Sequence, residues 1–301
     1  MASIWAGVAH KVGSCLGFSC LNVAIKSAGL PVFWIVLIQN TGAFFWAYIC
    51  FGYSLKLNIF SPLSCLRAFF ALAGVVLWAA SLQHLSLFQT ISMGLFSPCA
   101  TIVLAVLVLG ESLTWNRAAA ISISTLGGGL IQYGKDCSNL PWITPPQFSI
   151  LPVLPFLATF CFAASNILAK KLLSRSSVED VGCSLFVLTA LGAGACIGVQ
   201  HWYGLFLNGK IFFNHYTVHV QSILFWKDCI VLGSLTFLAH ILMNRALSVH
   251  RVLFLLPFGI SRPVVSAFLG WYFFKEAWPN PWMWTGSIAM IIAIILLSKK
   301  Q

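Results

Sequence analysis

The amino-acid sequence predicts an all-α membrane protein, ten transmembrane helices built as two inverted five-helix repeats. Three observations predict it. Hydrophobic residues make up 59% of the 301 positions and charged residues only 8%, against roughly 25% charged in an ordinary soluble domain, so most of the surface must face lipid. The apolar runs have the length, about 20 residues, that a helix needs to cross about 30 Å of hydrocarbon. A set of residues in the first half recurs in the second: Leu82, Pro98 and Glu111 return as Leu247, Pro263 and Glu276 at one common offset.

The spans are taken in order between polar or Pro/Gly breaks, at 12–29, 32–53, 67–83, 87–109, 116–134, 151–169, 181–203, 228–247, 252–274 and 281–298. The first carries Asn22 and Lys26, echoed by Asn166 in the sixth and Lys170 directly after it. The fourth ends at Gly110-Glu111 and the ninth at Lys275-Glu276, so the same signal closes corresponding helices. Two stretches do not span: 135–150, with Pro141, Pro145 and Pro146, and 204–227, with His215 and His219. The first divides the chain into a repeat over 1–135, a linker over 136–149 and a repeat over 150–301. Five spans per half is an odd number, so the second copy enters the membrane from the opposite side, the arrangement from which many secondary transporters obtain two access states.

Basic residues near span ends stay on the cytoplasmic side. With both termini cytoplasmic, inner flanks, among them Lys11, Arg67, Lys170 and Arg245, hold more than twice as many basic residues as outer flanks such as Lys26 and Lys275. The net charge of +11 is therefore topological, and nucleic-acid binding is excluded. Ten cysteines fall mostly inside apolar runs and behave as small hydrophobes. No Cys/His spacing suits a metal, no cofactor is implied, and no HExxH, GxSxG or clustered nucleophile and base supports an enzyme.

These features resemble the drug/metabolite transporter superfamily, EamA type. The match rests on NVAIK in the first span, Ser97-Pro98 with Gly110-Glu111, Arg262-Pro263 with Lys275-Glu276, and Leu82 and Leu247 opening the repeated segments. The SCLNVAIKSAG stretch is also similar to the equivalent region of S-adenosylmethionine uptake carriers of intracellular bacteria. The resemblance implies a secondary transporter of a small polar metabolite, amino-acid-like or nucleoside/S-adenosylmethionine-like, working by alternating access in a bacterial inner membrane, and the lack of a mid-membrane Asp or Glu favours exchange or facilitated diffusion. A non-transporting scaffold or receptor-like protein is the alternative. The expected partners are a small-molecule substrate and membrane lipid, with the protein a monomer or homodimer.

Arg262 is the one charged residue placed near the middle of a span. Ionisable groups there face a cavity or a partner, and no carboxylate is available at its depth, so an anionic part of the substrate is its expected counter-charge. Backbone carbonyls freed by Pro257 or Pro263, or Asp228, are the structural alternatives. Pro98 and Pro263 each remove a helix hydrogen bond and are expected to kink their helices. Asn22, Gln39, Asn40, Trp78, Gln89, Ser92, Ser97, Asn166, His240 and Asn244 are the polar and aromatic groups at cavity depth, with interhelical hydrogen bonding as the competing role. His240 is the one deep group with a near-neutral titration. Glu111 and Glu276 are read as caps or partners of a nearby base, and Gly194 with Gly198 as a helix-packing step within the molecule.

Overall fold

The structure, a computed structural model, describes residues 2–52, 61–109, 115–137, 153–206, 223–249 and 261–298. The regular elements among these residues are all helical. They are α1 (Ala2–Ser27), α2 (Val32–Phe51), α3 (Pro62–His84), α4 (Leu87–Met93), a 3-10 turn (Gly94–Phe96), α5 (Ser97–Leu109), α6 (Trp115–Cys137), α7 (Val153–Leu172), α8 (Val178–Phe206), α9 (Ile223–Val249), α10 (Ser261–Phe274) and α11 (Pro281–Ser298). Among the described residues, seven helical stretches are long and apolar enough to cross a membrane. The linker over 136–149 lies almost wholly outside the described residues, as do Glu111, Pro257 and the 204–227 loop beyond Phe206 up to residue 222.

Local chemistry explains several boundaries. Ser61 caps α3 by accepting from Ser64 N at 3.2 Å, with Pro62 opening the helix, where a missing N–H costs nothing. Ser86 caps α4 through Gln89 N at 3.2 Å, Ser177 caps α8 through Asp180 N at 3.1 Å, and Asn280 caps α11 through Met283 N at 3.0 Å. Several helices begin earlier than the apolar runs suggest, among them α1 at Ala2 rather than 12, α3 at Pro62 rather than 67 and α9 at Ile223 rather than 228. Lys11 and Arg67, read as flanks, therefore lie inside helices. The hydropathy reading ended each apolar run at its cation, whereas both helices continue through it, α3 from its Ser61 cap.

The fourth span is broken at the 3-10 turn. Pro98 has no N–H to give to the Gly94 carbonyl four residues back, and Ser97 N bonds that carbonyl instead. The expected distortion thus falls one turn before the proline. For Pro263 the corresponding backbone lies outside the described residues.

Within the bundle α1 packs on α9 and α3 on α7, α2 on α8 and α9, α3 on α8, α4 on α10, and α6 on α11. Small residues permit the closest crossings, as in membrane helix packing generally. A Cβ on Gly42 of α2 would come within 2.8 Å of the Gly233 Cα of α9, and one on Gly127 of α6 within 2.6 Å of the Gly286 carbonyl of α11. Gly194 and Gly198 do not serve this way: the nearest atom to a Cβ at 194 is Leu37 Cδ1 at 3.9 Å, and 198 faces open space. Spacing within one helix could not reveal crossings made by single glycines on different helices. Large apolar side chains such as Phe45, Phe69, Leu126, Trp271 and Phe273 point outward, as lipid-facing residues do.

Candidate functional site

A cavity of about 210 Å³ lies between the helices. Its wall is drawn from α1, α2, α3, the α4–α5 break, α7, α8, α9, α10 and α11. Of the residues singled out from the sequence, Asn22, Gln39, Asn40, Trp78, Ser97, Asn166, His240, Asn244 and Arg262 line it. Gln89 and Ser92 do not. Both are fully buried on α4, and Ser92 accepts from Ser287 of α11 at 3.4 Å. The seven-residue α4 turns these two toward its neighbours, and the sequence placed them at cavity depth without resolving which face they occupy.

Aromatic and amide groups make up one part of the wall. Trp78 donates its indole N–H to Asn22 Oδ1 at 3.0 Å, tying α3 to α1, and its ring meets Phe162 of α7 edge-on at 5.9 Å. Asn40 donates back to the Val36 carbonyl at 2.8 Å. Several buried polar atoms of the wall have no hydrogen-bond partner: Asn22 Nδ2, Asn244 Nδ2, Gln39 Oε1 and Thr189 Oγ1. Unpaired buried groups cost about 1–3 kcal/mol each, a cost that a polar ligand removes.

Cations make up the other part, and two of them were missed. Lys11 is 8% exposed and Arg67 3%, and both line the cavity with Arg262. Lys11 Nζ reaches Met243 Sδ at 3.3 Å. Arg67 donates to the Val181 carbonyl at 2.7 Å and to Asn244 Oδ1 at 3.5 Å, leaving its Nε unpaired. The Arg262 guanidinium lies 5.2 Å from the centre of the Phe18 ring and its Nε is also unpaired. No carboxylate pairs with Arg262 among the described residues, so the Asp228 alternative is not what the structure contains. His240 stands edge-on between Phe18 and Phe186, at 5.1 and 5.7 Å. No carboxylate belongs to the described residues of the wall. A helix-centre charge of this kind costs about 3 kcal/mol on insertion scales.

A separate polar cluster sits where α1, α3 and α10 end. Lys26 donates to the Leu85 carbonyl at 2.8 Å and pairs with Glu276 at 2.5 Å. Glu276 in turn accepts from Leu87 N at 2.9 Å, capping α4. Lys275 adopts φ 52°, which turns the chain so that Glu276 N returns to the Gly270 carbonyl at 3.2 Å. Glu276 therefore serves as a cap and a partner of a base. On the other side of the bundle Lys170 donates to the Leu247 carbonyl at 2.6 Å. Glu111, the expected counterpart of Glu276, is outside the described residues.

Helices of this length and apolarity make the chain a multi-pass integral membrane protein. Its relatives are transporters. It is 24% identical to a riboflavin transporter of Brucella anthropi, over 96% of this chain and 97% of that one. It is likewise 24% identical to riboflavin transporters of Rhizobium johnstonii (98% and 91% covered) and Vibrio cholerae serotype O1 (94% and 90%). A crystal structure with 12% identity superimposes with a TM-score of 0.64 over 96% of this chain and 95% of its own, which shows the fold. No protein-family profile matches the chain.

Proposed function

We propose that the chain is a secondary transporter of the drug/metabolite superfamily, EamA type, that moves a small ring-bearing polar metabolite across a bacterial inner membrane. Riboflavin, the solute named for its relatives, is the first candidate. The observation that carries this reading is the cavity itself: buried amides with an unpaired nitrogen or oxygen line it together with the Trp78, Phe18 and Phe162 rings, a wall suited to a flat ring with a hydroxylated tail. Nucleoside-like solutes share that chemistry. A sulfonium such as S-adenosylmethionine finds no counter-charge on the described wall for its cationic centre, so it ranks lower.

Alternating access between halves 1–135 and 150–301, with both termini cytoplasmic, is part of the proposal. The packing pattern supports it. Exchanging α1 with α7, α2 with α8, α3 with α9 and α6 with α11 turns the α1–α9 contact into α7–α3 and maps α2–α8 and α6–α11 onto themselves. Lys26 and Lys170 follow the same exchange, each bonding a carbonyl at the end of a neighbouring helix. Among the described residues the cavity wall holds no carboxylate to relay protons, and exchange or facilitated diffusion is the expected mode.

The test is flux. A riboflavin-requiring bacterium without its own uptake system should grow at low riboflavin when it expresses this chain, and proteoliposomes should accumulate labelled riboflavin by counterflow. Absence of riboflavin flux, with nucleoside or S-adenosylmethionine flux present, would reassign the substrate. Absence of flux for all of them would favour a scaffold.

A further inference from the structure

Among the described residues, two cations of the cavity touch one turn of α9 and a third approaches it through an aromatic ring. Lys11 from α1 touches Met243, Arg67 from α3 touches Asn244, and Arg262 from α10 lies over Phe18, whose ring abuts His240. Among the described residues their partners are poor for charges held away from water: a thioether, a backbone carbonyl, a long amide contact and a ring face. The free atoms around them are mostly donors, namely Arg67 Nε, Arg262 Nε and Asn244 Nδ2. A site that presents several positive charges and spare N–H groups, with no acid among the described residues of its wall, is complementary to a group that is anionic and only accepts hydrogen bonds.

We infer that this end of the cavity binds a phosphate-like dianion held by Lys11, Arg67 and Arg262. A monocarboxylate would bring one charge and two oxygens to three cations, whereas a phosphomonoester or inorganic phosphate brings about two charges and three terminal oxygens. Arg262 and Arg67 reach it from different helices, so the anion would also bridge α3 and α10. The dianion has two sources: it is the phosphorylated end of the transported solute, or it is free inorganic phosphate occupying the site with or in exchange for that solute. The anion site stands on the cation geometry; its attachment to a flavin rests on the function proposed above.

The full-length protein in detergent is titrated with riboflavin, riboflavin 5′-phosphate and inorganic phosphate, with gluconate at equal ionic strength as the reference anion. If the anion belongs to the solute, riboflavin 5′-phosphate binds at least about tenfold tighter than riboflavin, the order expected for a charge-assisted hydrogen bond. If the anion is free, inorganic phosphate raises the melting temperature and accelerates riboflavin counterflow, and gluconate does neither. Either preference should collapse in Lys11→Met and in Arg67→Gln, and survive in Lys11→Arg, which keeps the charge and checks that the fold tolerates a change at that position. The inference is overturned if riboflavin 5′-phosphate and inorganic phosphate have no advantage over riboflavin and gluconate, or if the advantage persists in both neutral variants. Phosphate protection that depends on Lys11 in the absence of any flavin binding would keep the anion site and remove the flavin reading. Riboflavin binding without any anion effect would do the reverse.

Discussion

Lys26 and the cavity cations are both basic groups embedded in an apolar bundle, yet they are treated in opposite ways. Lys26 has a carbonyl and a carboxylate, and that carboxylate is itself held by a helix N–H. Every charge in that cluster has a partner, as a structural ion pair requires. Lys11, Arg67 and Arg262 share a cavity with unpaired nitrogen atoms and no described acid. The contrast separates a cation whose charge is met by a carboxylate from cations that have no described carboxylate beside them, and it can be broken by substitution at either place.

The largest effect should come from the cavity. Arg262→Ala is expected to lower riboflavin counterflow by about a hundredfold, the loss of roughly 3 kcal/mol of charged hydrogen bonding, with normal abundance in the membrane. Arg262→Lys keeps the charge without the planar fork and should fall between. If Arg262→Ala transports normally, the cavity cations are structural and the contrast fails.

The Lys26 cluster should respond in stability instead. Glu276→Gln removes the ion pair but keeps an acceptor for Leu87 N, and should cost about 2 kcal/mol, less than a fully buried pair because both side chains retain some exposure. Thermal unfolding in detergent should report a fall of several degrees while the KM for riboflavin holds. A change in KM without a change in melting temperature would place Glu276 with the ligand-binding groups.

Two smaller effects sharpen the distinction. Trp78→Phe deletes the 3.0 Å bond to Asn22 and should weaken riboflavin binding about fivefold, one hydrogen bond of about 1 kcal/mol, as read by direct titration. Lys275→Gly relieves a left-handed backbone position and should raise stability by up to about 1 kcal/mol, offset in part by the greater freedom of glycine when unfolded. Transport by that variant should match the parent protein.

Much of this architecture is legible before any coordinates. The α11 boundaries coincide with the apolar run 281–298, and most of the polar residues chosen for depth line one cavity. Lys11 and Arg67 were hidden for a definite reason: both lie near the start of an apolar run, where a topology signal and a cavity residue look identical. The cue for Arg67 was in the sequence, because Ser61-Pro62 is a helix start and moves Arg67 more than a turn inward. For Lys11 no comparable start signal precedes it. Gln89 was misplaced because α4 is too short and too uniformly buried for periodicity to assign a face.

The meeting of Gly42 and Gly233 bears on how such a bundle can move. At this crossing the two backbones touch with no side chain between them, while Ile35 and Ile38 on one side and Phe51 on the other pack against Leu232 and Phe237 of α9. They cannot slide along one another without driving a neighbouring side chain into that gap. The crossing of α2 and α9 is thus fixed in position by two residues that have no side chain to spare. A methyl group at either glycine would hold the two helices apart at that point.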